Sequence, residues 1–310
     1  MIQATSLTKT YGDKTAVDGI SFTVEPGYVT GFLGPNGSGK STTMRMIVGL
    51  DRPTAGRVTV NGSAYADHAA PLHEVGILLD AKAAHPARTA RNHLRCIART
   101  HGISNRRVDE VIGMTGLEAV AGKRVGKFSL GMGQRVGIAS VLLGDPQTVI
   151  LDEPVNGLDP EGVQWVRSLC RSLAAEGRAV LLSSHLMDEM AKTADRVIVL
   201  GRGRVIADAT MDDIIAGSGT ETIRVRSTDL DRLGQVLTPL GASLTRTAAD
   251  TAEIAGSTTE QVAQTAAAHG VVLFEIAAVQ TSLEDAFFAL THDAVEYRTS
   301  NHEASRETNR

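Results

Sequence analysis

One segment constrains the fold more than any other: an apolar run that leads directly into a glycine-rich loop. Residues 28–33 are predicted to form a buried strand, and residues 34–41 read Gly-Pro-Asn-Gly-Ser-Gly-Lys-Ser, the complete G-x-x-x-x-G-K-[ST] pattern. A helix is expected over 41–50, ended by Gly49 and Pro53. Backbone N–H groups of such a loop, together with the helix N-terminus, bind phosphate. The chain is therefore expected to be an α/β protein with a parallel sheet and crossover helices.

The loop is predicted to bind a nucleotide rather than to be a glycine-rich turn, because a strand precedes it and a helix follows it. Lys40 is expected to reach the β- and γ-phosphates, and the Ser41 hydroxyl is expected to ligate Mg²⁺. The predicted nucleotide-binding residues of this segment are Gly34, Pro35, Asn36, Gly37, Ser38, Gly39, Lys40, Ser41 and Thr42.

A second strand ends in two adjacent carboxylates, in the sequence Val-Ile-Leu-Asp-Glu-Pro (149–154). Asp152 lies at the carboxyl end of this strand, where doubly wound sheets place ligand-binding residues, and it could hold Mg²⁺ directly or through water. Glu153 could polarise an attacking water as general base, which makes it a candidate catalytic residue with Lys40. An Asp-Glu-Pro after a strand is also typical of a capped turn, but the phosphate loop in the same chain favours the catalytic interpretation.

Composition narrows the classes of function. Lys+Arg 31 against Asp+Glu 35 gives a net charge of −4, which argues against binding nucleic acid through bulk charge. No stretch approaches the roughly 18 apolar residues of a membrane helix, and the N-terminal residues lack a basic region followed by an apolar run. Cys96 and Cys170 are isolated, as is usual in a reducing compartment. A cytoplasmic protein is expected.

Alternating strand and helix patterns continue from residue 149, and Gly-Ser-Gly-Thr (217–220) is the predicted domain boundary. Beyond it a βαββαβ order is compatible with a small ferredoxin-like fold. The predicted domains are a nucleotide-binding domain over 1–216 with a helical part at about 84–145, an α+β domain over 221–291, and a disordered polar tail over 292–310.

Across residues 1 to about 215, the order of motifs resembles the nucleotide-binding subunit of ATP-binding cassette (ABC) transporters. The resemblance implies a P-loop NTPase fold, with a RecA-like core plus antiparallel β and helical subdomains. It also implies that Tyr11 stacks on adenine; otherwise Tyr11 is a half-buried residue at a strand end.

The same resemblance identifies residues 128–132, Phe-Ser-Leu-Gly-Met, with the family's signature loop Leu-Ser-Gly-Gly-Gln. Ser129 and Gly131 are kept, whereas Leu130 and Met132 depart from the pattern in a way similar to the drug and antibiotic (bacitracin/daunorubicin-type) exporter branch. By resemblance, this loop contacts the ATP that is bound by a second chain.

Three further residues have roles that the resemblance implies. Asp159 would couple the two half-sites of a dimer, although it could equally cap the helix that begins at Pro160. His185 would contact the γ-phosphate as a catalytic residue. Asp80 stands where most members carry a metal-contacting glutamine, and its shorter, charged side chain leaves direct contact with Mg²⁺ open.

The implied function is an ATP-binding and ATP-hydrolysing subunit that powers export of a drug, antibiotic or peptide. The implied cofactors are ATP and Mg²⁺, and the implied partners are a second copy of the chain and a separate integral membrane permease, which would hold the protein at the inner face of the cell membrane. Four arginines at helical spacing form either a solvated face or part of the permease dock: Arg88, Arg91, Arg95 and Arg99. Two alternatives are an ABC-type ATPase that acts on ribosomes or DNA, and a non-catalytic ATP sensor.

Overall fold

The computed structural model describes residues 1–80, 84–184, 186–217, 222–279 and 287. Its chain separates into two compact units, one over residues 1–209 and one over residues 210–290. The predicted boundary at 217–220 and the predicted tail at 292–310 lie largely outside the described residues.

Nine strands and seven helices are described in the first unit. The strands are β1 (Ile2–Tyr11), β2 (Lys14–Val24), β3 (Val29–Leu33), β4 (Ala55–Val60), β5 (Val75–Leu78), β6 (Thr148–Leu151), β7 (Ala179–Ser183), β8 (Arg196–Gly201) and β9 (Arg204–Thr210). The helices are α1 (Lys40–Ile47), α2 (Pro71–Glu74), α3 (Ala90–Thr100), α4 (Asn105–Met114), α5 (Leu130–Leu142), α6 (Pro160–Ala175) and α7 (Met187–Thr193).

The central sheet has the strand order β5-β6-β7-β3-β8-β9, and the pairings from β5 through β8 are parallel. Every residue of β3, β6 and β7 is buried, as expected for strands that are covered on both faces. Because β7 lies between β3 and β6, the carboxyl ends of these three strands meet at one edge of the sheet. The phosphate loop, Asp152 and Ser183 follow or end these strands and are therefore brought together.

A three-stranded antiparallel sheet of order β2-β1-β4 packs beside the central sheet. The two sheets share a core to which α1 contributes Met44 and Ile47. In this core the Phe22 and Phe32 rings lie 5.6 Å apart between centroids. This packing fixes α1, and hence the loop at its N-terminus, against the ends of the central strands.

Helices α3, α4 and α5 make up the helical part that was expected at about 84–145. Each begins at a hydroxyl N-cap: Thr89, Ser104 and Ser129 accept hydrogen bonds from backbone N–H groups three residues on. Across the described ranges, every helix is too short or too polar to cross a membrane.

The second unit has its own hydrophobic core and a sheet of four strands, β10 (Thr222–Arg226), β11 (Ser243–Arg246), β12 (Thr251–Ala255) and β13 (Glu275–Val279). The sheet is antiparallel, with the order β11-β12-β10-β13. From β10 onward its elements follow the βαββαβ order. Just before β13, Ser227 Oγ donates to the Val272 carbonyl at 2.9 Å and so ties the preceding segment to the end of β10. The helices of this unit are α8 (Met211–Gly217), α9 (Leu230–Leu237) and α10 (Thr259–Ala268).

Candidate nucleotide-binding site

A cleft of about 340 Å³ opens where β3 gives way to α1. Its lining joins the phosphate loop to the two carboxylates that follow β6, and it includes two residues from β2 that the sequence did not single out. The lining residues are Lys14, Ala16, Asn36, Gly37, Ser38, Gly39, Lys40, Ser41, Thr42, Asp152 and Glu153. The structure therefore brings together most of the residues predicted to bind the phosphates and the metal.

Gly39, which immediately precedes α1, is a position where the loop tolerates no side chain. Its φ of +104° lies in the left-handed region, and a Cβ there would lie 2.6 Å from the Ala16 carbonyl oxygen. The neighbouring Ser38 N–H bonds back to the Pro35 carbonyl at 3.1 Å, which closes the turn. The loop backbone is thus held tightly against β2, with the N-terminus of α1 facing the cleft.

Lys40 folds back over the loop that it follows. Its ammonium donates to the carbonyl oxygens of Gly34 at 2.5 Å and Pro35 at 3.2 Å. Burial lowers the pKa of Lys40, while the nearby charges of Glu153 and Asp152 act in the opposite direction. A bound phosphate would add negative charge next to this partly desolvated ammonium.

Ser41 and Asp152 place two oxygens side by side. The Ser41 hydroxyl donates to Oδ2 of Asp152 at 3.0 Å, and the Asp152 N–H is held by the Leu78 carbonyl at 2.8 Å. Within the described part of the chain there is no cluster of three or more metal-ligating side chains. This donor set fits Mg²⁺, which binds through one or two protein oxygens and takes its remaining ligands from phosphate and water.

Ser183, at the end of β7, is a site residue that sequence reasoning missed. Its fully buried hydroxyl donates to Oδ1 of Asp152 at 2.5 Å and accepts from the Glu153 N–H at 2.9 Å. Glu153 itself has a φ of +50°, which is costly for a residue with a side chain. A second contact, from Nε2 of buried Gln134 to the Glu153 carbonyl at 3.2 Å, helps to hold this conformation.

Ser183 had one available signal: it ends an apolar strand next to the predicted catalytic strand. Gln134 had none, because its helix is distant from Glu153 in sequence. Both residues act on the position of Glu153 rather than on a ligand.

The predicted signature loop lies elsewhere on the first unit. The Ser129 hydroxyl accepts from the Met132 N–H at 3.2 Å, and Ser129 and Leu130 line a separate, mainly apolar groove with Ala84 and Phe128. Leu130 is 50% exposed. The described residues that line the phosphate cleft do not include this loop, so one chain alone does not assemble both halves of the predicted site.

Asp159 caps α6: its Oδ1 accepts from the Gly162 N–H at 2.9 Å, with Pro160 at the first helical position. Its predicted role in dimer coupling stays a prediction.

Asp80 lines a groove of about 440 Å³ next to the cleft, together with His93 and Ile97 of α3. His185 lies outside the described residues. Tyr11 ends β1 with its ring half exposed, and its hydroxyl donates to Asp51 at 2.9 Å.

Comparisons with known proteins agree with this geometry. Residues 17–156 match the ABC transporter family, and residues 221–284 match a domain of unknown function. The bacitracin transport ATP-binding protein BcrA of Bacillus licheniformis is 39% identical over 217 residues, which is 69% of this chain and 71% of the relative. The Nod factor export ATP-binding protein I of Rhizobium etli is 36% identical over 263 residues, 83% of this chain and 81% of the relative.

Solved structures show the same likeness. An ATP-binding subunit of an ABC transporter superposes with a TM-score of 0.64 at 30% identity, covering 70% of this chain and 92% of that one. A bacterial ABC transporter cassette with a dimeric structure gives a TM-score of 0.63 at 25% identity, covering 68% and 99%. The predicted P-loop ATPase cassette fold of the first unit and the predicted ATPase activity are confirmed: the chain belongs to the ATP-binding, ATP-hydrolysing subunits of ABC transporters.

Proposed function

We propose that this ATPase powers the export of a drug, antibiotic or peptide through a separate integral membrane protein, and that it works as a homodimer with MgATP bound between the two copies. Two similar proteins carry names that specify bacitracin transport and Nod factor export. The Leu130 and Met132 departures in the signature loop support the same branch.

The observation that carries the dimer proposal is the separation of the two half-sites. Lys40, Asp152 and Glu153 lie in one cleft, whereas Ser129 lines a different groove of the same chain. A second copy would have to supply the Ser129 hydroxyl and the Gly131 backbone to the ATP held by the first. A dimeric structure is known for one similar cassette.

In the proposed reaction the phosphate-loop N–H groups and Lys40 bind the triphosphate and hold its γ-phosphorus in line with water. Ser41 and Asp152 would hold Mg²⁺, which neutralises charge on the phosphate oxygens when it is bound. Glu153 takes a proton from the attacking water as the new P–O bond forms and the bond to ADP breaks. Ser183 keeps the Asp152 and Glu153 positions fixed relative to each other during this step.

The groove beside the cleft supports a docking role for the helical part. It is lined by apolar Ile77, Leu79 and Ile97 together with His93 and Asp80. Nδ1 of His93 is buried and lacks a hydrogen-bond partner among the described residues, which leaves a polar atom for an incoming partner segment to satisfy. A membrane subunit seated here would hold the protein at the inner face of the membrane.

Purification of the tagged chain from membranes of its native cells tests the export proposal. An integral membrane protein with about six helices is expected to copurify. Deletion of the gene for this chain is expected to make the cells sensitive to the compound that is exported. Glu153→Gln, expressed in the deletion strain, should copurify with the same membrane protein but leave the cells sensitive. Copurification with ribosomes or DNA instead would support the other class of ABC ATPase.

A further inference from the structure

The helix that begins at the phosphate loop ends in a turn that presents a carboxylate. Gly49, at φ +70°, terminates α1, and the N–H groups of Leu50 and Asp51 return to the Arg45 carbonyl at 2.9 and 3.3 Å. Asp51 is thereby fixed relative to the helix whose first residue is Lys40.

The Asp51 carboxylate joins this helix to the end of β1. Its Oδ2 accepts from the Tyr11 hydroxyl at 2.9 Å and from Nε of Arg45 at 2.7 Å. The Asp51 side chain is only 17% exposed, although the Tyr11 ring is 48% exposed. The carboxylate is therefore sheltered, while the ring that it holds presents surface to the solvent.

A second contact restricts the same ring. The Lys9 ammonium lies 4.8 Å from the centroid of the Tyr11 ring, and it donates to the Arg52 carbonyl at 2.7 Å. Asp51 thus binds the Tyr11 hydroxyl, and the carbonyl of the next residue, Arg52, binds the Lys9 ammonium that lies over the Tyr11 ring. This arrangement differs from that of a half-buried tyrosine that merely ends a strand.

We propose that Asp51 is a positioning residue that fixes the Tyr11 ring relative to the phosphate loop, through the hydrogen bond to the Tyr11 hydroxyl and the turn that ties Asp51 to α1. This inference rests on the proposed stacking of adenine on Tyr11. A ring that is held in one rotamer before binding loses less conformational freedom when a base stacks on it.

The ionic state of Asp51 suits this role. The hydrogen bond from Arg45, and then that from Tyr11, lowers the pKa of the Asp51 carboxyl. The acceptor therefore stays ionised at neutral pH, where a charged acceptor forms the stronger hydrogen bond with the tyrosine hydroxyl.

Binding of two ligands to four variants tests the proposal by calorimetry with Mg²⁺ present. ATP carries the base, whereas inorganic tripolyphosphate carries only the phosphates. Tyr11→Phe and Asp51→Ala are each expected to raise the Kd for ATP about threefold to tenfold, since each removes the hydrogen bond between Tyr11 and Asp51, although Asp51→Ala also removes the ion pair with Arg45. The double variant, which carries both Tyr11→Phe and Asp51→Ala, is expected to have the same Kd for ATP as the single variant with the higher Kd, because both changes break the same contact. Tripolyphosphate should bind all of them within about twofold of the wild type.

Tyr11→Ala, the fourth variant, tests the stacking of adenine on Tyr11 separately from the positioning role of Asp51. It is expected to weaken ATP binding about tenfold or more, as the loss of a stacking platform does. If Tyr11→Ala binds ATP as tightly as the wild type does, adenine does not stack on Tyr11. If Tyr11→Ala weakens ATP binding while Tyr11→Phe and Asp51→Ala do not, the positioning role is overturned. It is also overturned if Asp51→Ala weakens ATP and tripolyphosphate equally, since that is the signature of a general structural defect.

Discussion

Ser183→Ala is the substitution that most directly tests how this site is held together. The change removes one buried hydroxyl without altering the strand that carries it. It deletes the 2.5 Å hydrogen bond to Asp152 and leaves the Glu153 N–H without the acceptor that lies 2.9 Å away. The Asp152 carboxylate and the Glu153 backbone thus each lose one contact through a single atom.

The size of the effect follows from these two contacts. A hydrogen bond to a charged group contributes about 1.5–3 kcal/mol, and a buried donor left without an acceptor costs about 1–3 kcal/mol. Since water from the cleft can replace part of this, the free energy of unfolding should fall by about 2–3 kcal/mol. For a unit of this size, that corresponds to a decrease in Tm of roughly 5–10 °C.

The ATPase rate of Ser183→Ala should fall even at temperatures where the variant is fully folded. Glu153 would no longer be held at its unfavourable φ, and a loss of about 1.4–2.7 kcal/mol of transition-state stabilisation reduces kcat about tenfold to a hundredfold. The KM for ATP should change little, because Lys40 and the phosphate loop are untouched. Steady-state ATPase kinetics below the variant's Tm would measure both quantities.

Ser184→Ala is the matched control. Ser184 is also buried, but its hydroxyl accepts from the backbone of Leu186 at 3.0 Å. It should lose about 1 kcal/mol of stability and retain the wild-type kcat. The reasoning is refuted if Ser183→Ala hydrolyses ATP as fast as Ser184→Ala does.

Three other predictions concern the loop, a helix cap and the core. Gly39→Ala should abolish detectable ATP binding in calorimetry while the chain stays folded by circular dichroism, because its Cβ would lie 2.6 Å from the Ala16 carbonyl; retained affinity would contradict the steric account. Asp159→Ala should lower the free energy of unfolding by about 1 kcal/mol in urea, the usual value for an N-cap, and an unchanged midpoint would show that the cap contributes nothing. Iodoacetamide at pH 8 should alkylate exposed Cys96 but not Cys170, whose pKa burial raises to about 12, so that its reactive thiolate is scarce; mass spectrometry that finds both labelled in folded protein would contradict the fold.

Much of the fold could be predicted because its central strands are unusually simple in sequence. The strand predicted over 28–33 begins one residue later, at Val29, and the apolar run before Asp152 forms a strand that ends at Leu151. These strands are buried on both faces, so a short apolar block bounded by polar or turn residues marks each of them. The phosphate loop could be predicted from the spacing of its glycines, Lys40 and Ser41 alone.

The contacts that hold Glu153 could not be predicted in the same way. Ser183 meets Asp152 only because β7 lies between β6 and β3, and strand order is not encoded in any local pattern. Gln134 reaches the Glu153 carbonyl from α5, 19 residues away in the chain. The hydrogen bond between Tyr11 and Asp51 likewise joins residues 40 positions apart. Motifs identify the groups that could contact ATP, whereas the groups that orient them depend on tertiary packing.

Association of the Glu153→Gln variant tests the central claim, that ATP is bound and hydrolysed between two copies of the chain. The variant should bind MgATP but not hydrolyse it, so the ATP-bound dimer should persist. Analytical ultracentrifugation is expected to show the 32.7 kDa monomer without nucleotide and with ADP, and a species of twice that mass with MgATP. Adding Ser129→Ala should weaken this dimer without changing ATP binding by the monomer. A variant that binds MgATP tightly yet remains a monomer at every concentration would contradict the account.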